Sequence, residues 1–150
     1  MMNESTISPT LQNMGINAKR SSKELAKVSS RLRNKALEAI AEALDSSQDS
    51  IIEVNQKDIE IGNSVGLNDA TLDRLMLDSS RLNEIRDGVL AVASLPDPIG
   101  EEFDARTLEN GLRVARRRTP LGVIGSIYES RPNVTVDISA LCLKSGNACV

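Results

Sequence analysis

The chain has 150 residues, carries a net charge of −3 and contains no histidine. That absence excludes a Ser-His-Asp or Cys-His centre and any histidine-based metal site from these residues, and no metal site is expected. The acidic balance argues against nucleic acid as a partner, and no apolar run approaches the ~18 residues of a membrane span, so no membrane partner is expected either.

Met1-Met2-Asn3-Glu4 lacks the basic start of a signal peptide, and two cysteines without such a signal give no disulfide framework; the expected location is the cytoplasm. Residues 1–7 are polar and read as disordered. Ser8-Pro9 is a helix-start signal, with Ser8 as cap and Pro9 in the first turn. The segment Thr10–Val28 follows, with Leu11, Met14, Ala18, Leu25 and Val28 as inward positions and Gly15 as a weak point. Ser29 or Ser30 caps a second helix whose Leu32, Ala36, Leu37, Ile40 and Leu44 form one apolar stripe. A third helix runs roughly from Ser47 to Ile61 with Ile51, Ile52, Val54 and Ile59, closed by Gly62-Asn63. Asn68 caps a short helix through Met76. Asp78 or Ser79 caps another with Leu82, Ile85, Val89 and Val92 inward, and Pro96-Asp97-Pro98 ends the helical part.

From Asp104 to Arg118 the pattern is a β-hairpin, with Asn110-Gly111 as a two-residue turn. Arg116-Arg117-Arg118 reads as a solvated or interface-facing edge strand, because no aromatic residues interleave for base stacking. Leu121 to Tyr128 is an apolar run suited to a strand buried on both faces of a parallel sheet. A loop, Glu129–Asn133, a helix carrying Val136, Ala140, Leu141 and Leu143, a stop at Gly146 and a strand at Ala148-Cys149-Val150 complete one βαβ unit. A parallel sheet of two strands is not a finished object, so the chain reads as the N-terminal portion of a longer protein.

Ligands of such sheets bind outside the carboxyl ends of the strands, which here means the Tyr128–Asn133 loop. Asn133 brings two amide donors, Arg131 a forked cation and Ser130 one hydroxyl. By spacing, Asn133 also reads as a helix cap. Gly122-Val-Ile-Gly125 is no dinucleotide fingerprint and Lys144-Ser-Gly-Asn147 no phosphate loop. Cys142, within a helix, and Cys149, within an apolar strand, read as small core residues.

Three longer words say more: Arg116-Arg-Arg-Thr-Pro-Leu-Gly-Val-Ile-Gly125, Tyr128-Glu-Ser-Arg-Pro-Asn-Val-Thr-Val-Asp137 and Leu141-Cys-Leu-Lys-Ser-Gly-Asn-Ala148. They resemble the glutamate-5-semialdehyde dehydrogenases, or gamma-glutamyl phosphate reductases, of proline biosynthesis, a branch of the aldehyde dehydrogenase superfamily. Leu72-Asp-Arg-Leu75 and Asp97-Pro98 extend the resemblance upstream more loosely.

The resemblance implies an α/β fold in which N-terminal helices and a β-hairpin lead into the start of a Rossmann-like parallel sheet, incomplete in this chain. The expected divisions are a helical part of the cofactor-binding domain (1–103), a hairpin acting in assembly (104–118) and the first βαβ unit (119–150). It implies an NADPH-dependent reductase that converts L-glutamyl 5-phosphate to L-glutamate 5-semialdehyde and releases phosphate. A cysteine thiolate would displace the phosphate and hydride would reduce the thioester. Asn133 matches the asparagine that stabilises the oxyanion, and Ser126, Ile127 and Tyr128 lie where the nicotinamide half of NADP is held. General aldehyde dehydrogenases carry Pro-Trp-Asn at this loop. Arg131 and Ser130 in Ser130-Arg131-Pro132-Asn133 are accordingly read as ligands of an acidic, phosphorylated substrate. The nucleophile is expected beyond Val150, so these residues alone are expected to be inactive. Homo-oligomerisation and coupling to glutamate 5-kinase are further implications. The alternatives are a fragment of a general aldehyde dehydrogenase and a non-catalytic helical interaction module.

Overall fold

A computed structural model describes residues 9–150; the expected Ser8 cap and the polar residues 1–7 lie outside the described residues. Five helices come first: α1 (Pro9–Leu25), α2 (Ser30–Ser46), α3 (Gln48–Ser64), α4 (Asp69–Leu75) and α5 (Ser79–Ser94). The strands β1 (Glu102–Thr107) and β2 (Arg113–Arg117) form an antiparallel hairpin. The chain then runs through β3 (Val123–Ile124), α6 (Pro132–Lys144) and β4 (Ala148–Cys149), with β3 and β4 parallel. Among the described residues no helix is long and apolar enough to cross a membrane.

The core lies where α2, α5 and α6 meet. Leu37 and Ala41 of α2, Val89 and Ala93 of α5 and Ala140 of α6 are buried together, flanked by Ile40, Leu44, Val92, Val136 and Leu143. Small residues at Ala41, Ala93 and Ala140 let the three helices approach, while Leu37 and Val89 fill the space between them. Caps set the registers of these helices. The Ser29 side chain accepts from Leu32 N–H, Asn68 from Thr71 N–H and Asp78 from Arg81 N–H, each satisfying a donor that the helix start leaves open.

Several expectations fail for local reasons. Among the residues of α1 whose burial is described, only Ala18 and Ser22 are buried, and the helix lies against β3 and β4; Leu11 and Met14 are exposed. The helix ends at Leu25 rather than Val28, and Gly15 does not interrupt it. Leu32 and Val54 are likewise exposed. Helix α3 continues past Gly62, which is buried under Leu67 and Leu72; a Cβ there would lie 2.9 Å from Leu72 Cδ2. That glycine serves close packing, not termination.

The hairpin turn spans three residues, Glu109-Asn110-Gly111, not two: Leu108 N–H donates to Leu112 O and Gly111 N–H to Leu108 O, with Gly111 at φ 84. A bulge between Phe103 and Arg106, with Asp104 at φ 54, bends β1. Apart from half-buried Val114, both strands are exposed along their whole length. Arg116 and Arg118 are paired with Asp104 and Glu101, and Arg118 also lies over the Phe103 ring.

The run Leu121–Tyr128 is a strand only at Val123-Ile124, and Leu121 and Ile127 are exposed. With one neighbouring strand and α1 over it, β3 is covered in part rather than on both faces. The turn from α6 into β4 is tightly built. Asn147 N–H reaches Cys142 O and Gly146 N–H reaches Leu143 O, the paired bonds of a Schellman end with Gly146 at φ 71. Buried Asn147 then accepts from Gly122 N–H at 2.7 Å, which locks the start of β3 to the end of α6.

Candidate active site

The loop between β3 and α6 is shaped by one proline. Pro132 occupies the first turn of α6, where its missing N–H costs nothing. Arg131 precedes it at φ −141 and ψ 80, outside the helical region as the proline ring requires. Ser130, at φ 51, adopts a left-handed conformation that costs a non-glycine residue about 1–3 kcal/mol and is concentrated at functional loops. The Tyr128 and Thr135 hydroxyls meet at 2.7 Å and tie the loop to the first turn of the helix.

Asn133 is not the cap. The cap position belongs to Arg131, which makes no side-chain cap bond, and Asn133 lies inside the helix. Its Nδ2 donates to Asp137 Oδ2 at 3.1 Å, one turn along the same face. One amide hydrogen is thus held by a carboxylate, and the second makes no hydrogen bond to a described residue. Asn133 is exposed and lines a cavity of about 290 Å³ between α4, α5 and α6, together with Arg74, Met76, Arg81, Glu84 and Asp137.

The wall opposite α6 is held by polar bonds that no sequence pattern announced. Asn55, buried in α3, donates to Leu75 O at 2.9 Å and accepts from Leu77 N–H at 2.7 Å, clamping the chain that leaves α4. Arg81 braces the same turn by donating to Met76 O, to Asp73 O and to the Asp73 carboxylate.

Of the catalytic, substrate and cofactor residues expected from the sequence, Asn133 alone lines this cavity. Arg131 is exposed and Ser130 half-buried just outside it. Ser126 N–H is taken by Val150 O at 2.8 Å, extending the parallel ladder. Ile127 is fully exposed and Tyr128 partly so, at the carboxyl end of β3. Sequence reasoning missed Arg74, Glu84 and Asp137. Asp137 had a readable signal, its i+4 spacing from Asn133; Arg74 and Glu84 come from elements whose approach to α6 only the packing reveals.

The cysteines stand apart. Cys142 is buried on α6, and burial, reinforced by Cys149 nearby, pushes its thiol above the ordinary value, so it stays protonated. Cys149 is half-buried with its Sγ 3.9 Å from Ser139 Oγ. A protonated, enclosed thiol is a poor nucleophile.

A helical body, an exposed hairpin and a βαβ opening define an α/β protein, a class in which ligands bind at the carboxyl edge of the sheet. No protein-family model matches the chain. It is 54% identical over 140 residues to a gamma-glutamyl phosphate reductase of Psychromonas ingrahamii, across 93% of this chain and 34% of that protein. It is 56% identical over 137 residues to one of Tolumonas auensis, across 91% of this chain and 33% of that protein.

Among solved structures, the gamma-glutamyl phosphate reductase of Thermotoga maritima matches with a TM-score of 0.89 at 41% identity, over 93% of this chain and 34% of that one. The Saccharomyces cerevisiae enzyme matches with a TM-score of 0.88 at 36% identity, over 92% and 35%. The fold is that of the N-terminal part of these reductases, and the chain spans about a third of the length of the relatives it matches.

Proposed function

We propose that the chain is the N-terminal part of an NADPH-dependent reductase that converts L-glutamyl 5-phosphate to L-glutamate 5-semialdehyde with release of phosphate. The observation that carries this reading is Asn133, an exposed carboxamide fixed by Asp137 at the opening of α6 and facing a cavity, in a chain more than half identical to reductases of that name.

The acyl phosphate is attacked by a cysteine thiolate, the carbon–oxygen bond to phosphate breaks, and a thioester remains. That cysteine is neither Cys142 nor Cys149, so it belongs to the two-thirds of the relatives' length that this chain does not span, and residues 1–150 alone have no reductase activity. When bound, a nicotinamide cofactor would supply hydride to the thioester carbon; the carbon–sulfur bond then breaks, releasing the semialdehyde and returning the thiolate. The exposed Ile127 side chain and the Tyr128 ring give the carboxyl end of β3 an apolar surface that fits a nicotinamide ring. The free N–H of Asn133 donates to the oxygen as negative charge develops on it, a demand that exists mainly in the transition state. Arg131 and Ser130, at the same helix start, receive the phosphate, where first-turn amides also favour an anion. The exposed hairpin is assigned to homo-oligomer assembly, since a lone two-stranded ribbon is marginal in water.

The test joins this chain to the remaining two-thirds found in its relatives and assays the reverse reaction. The expected result is NADPH formation from glutamate 5-semialdehyde and NADP that requires phosphate. Equal rates without phosphate would favour a general aldehyde dehydrogenase, and no turnover in a folded protein would favour a non-catalytic module.

A further inference from the structure

The cavity beside Asn133 carries a charge pattern that oxyanion chemistry does not require. Its two arginines are unequal. Arg81 is committed to Asp73 and to backbone carbonyls, whereas Arg74, in the last turn of α4, makes no hydrogen bond or ion pair with any described residue. Two carboxylates share the cavity: Asp137, bonded to Asn133, and Glu84 on α5, which also has no partner among the described residues. Met76, Leu77, Ile85 and Pro132 supply apolar wall between these charges. At about 290 Å³ the space lies just below the range of ligand pockets, roughly 300 to 1,000 Å³, and suits a small ligand. One free cation, two anions, a short apolar span and an amide donor complement a small zwitterion with a reactive carbonyl at its far end.

We propose that this cavity holds the α-amino-acid head of the substrate, with Arg74 binding the α-carboxylate and Glu84 and Asp137 the α-ammonium. The inference rests on the function proposed above and adds to it the residues that select an amino acid over a simple acyl phosphate. Arg74 offers a forked donor matched to a carboxylate. The ammonium shared by Glu84 and Asp137 offsets their mutual repulsion and shields the developing oxyanion from the Asp137 charge.

The experiment uses the chain joined to the remaining two-thirds, assayed in the oxidative direction with NADP and phosphate. Three aldehydes are compared: glutamate 5-semialdehyde, 4-aminobutanal, which lacks the carboxylate, and 5-oxopentanoate, which lacks the ammonium. Arg74→Ala is expected to lower kcat/KM for the semialdehyde and for 5-oxopentanoate by roughly 10–100-fold and to leave 4-aminobutanal within about twofold. Glu84→Gln is expected to do the opposite, lowering the semialdehyde and 4-aminobutanal and sparing 5-oxopentanoate. The spared aldehyde in each case reports that the variant is folded and chemically competent. Uniform loss over all three aldehydes, no loss, or a rise confined to the KM for phosphate would overturn the assignment, the last by making Arg74 a phosphate ligand. If the unmodified protein does not turn over the semialdehyde at all, the proposed function fails and this inference with it. If it does and the variants show no selectivity, only the inference fails.

Discussion

At the residue scale the proposed chemistry rests on Asn133. Its place inside α6 separates two roles that spacing alone could not, because no cap bond is lost when its side chain is removed. Asn133→Ala in the joined protein is therefore expected to lower kcat by ~10²–10³ with the KM for NADPH unchanged and with little change in melting temperature. Asn133→Ser, too short to reach the oxyanion, should do no better, and full turnover in that variant would remove Asn133 from the chemistry. Arg131, one residue outside the helix, is expected to act on the phosphate. Steady-state kinetics of Arg131→Ala should show a raised KM for glutamyl phosphate and an unchanged KM for NADPH. Equal shifts in both would mean that it only braces the loop. The helix start at Pro132 was legible in the sequence, because a proline after a polar loop is a local pattern, but spacing alone favoured Asn133 as the cap, and the cap position falls to Arg131. Asp137 was half legible from its spacing. Arg74 and Glu84 were not, since their proximity to Asn133 depends on how α4 and α5 dock.

Two devices hold the elements that present this site. The first is the end of α6, where Gly146 adopts φ 71 and a Cβ would lie 2.7 Å from Ile99 Cδ1 and 3.1 Å from Pro120 Cγ. Gly146→Ala therefore combines backbone strain of about 1–2 kcal/mol with a clash. Thermal unfolding of the joined protein should show a lower midpoint, and an unchanged midpoint would mean that the α6–β4 turn contributes little.

The second device is the pair Arg33–Asp97, with N···O at 2.6 Å and the arginine side chain 3% exposed. Arg33 also donates to Val28 O and so anchors the segment between α1 and α2. Burial on its own would raise Asp97, but the Ile99 amide and the Arg33 guanidinium together hold it below the ordinary carboxylate value. A depressed folded value means stability fully present above the unfolded pKa of about 3.9 and lost as pH falls through the folded one. Melting temperature should therefore fall as pH drops below about 4, and Asp97→Asn should be less stable at neutral pH with a flatter acid limb. An acid limb identical to that of the unmodified protein would show that the pair is not coupled to folding. The stripe of α5, most of that of α2 and most caps were legible in the sequence, because period and capping chemistry are local; the inward face expected for α1 was not. Buried polar ties were not. Arg33 with Asp97, Asn55 with the chain after α4, and Lys144 with Asn34 Oδ1 and Ala93 O, both at 2.8 Å, join residues far apart in the sequence.

At the scale of the molecule, exposed apolar side chains are spread over the helices, the hairpin and the β3–β4 sheet. Leu121, Ile127, Leu141 and Val150 are all exposed, whereas the α2–α5–α6 core is closed. The strand expected from Leu121 to Tyr128 is confined to Val123-Ile124, which pair with Ala148-Cys149 along one edge. The proposed function divides the labour: these residues would position the substrate and the oxyanion donor, and a thiol from outside them would perform the attack. The most direct measurement is the phosphate-dependent formation of NADPH from glutamate 5-semialdehyde by the joined protein with Cys142→Ala and Cys149→Ala combined. Turnover close to that of the unmodified protein is predicted, with some loss of thermal stability from the emptied Cys142 site. Abolished turnover in a protein that keeps its circular dichroism spectrum and its affinity for NADPH would place the nucleophile within this chain and contradict the account.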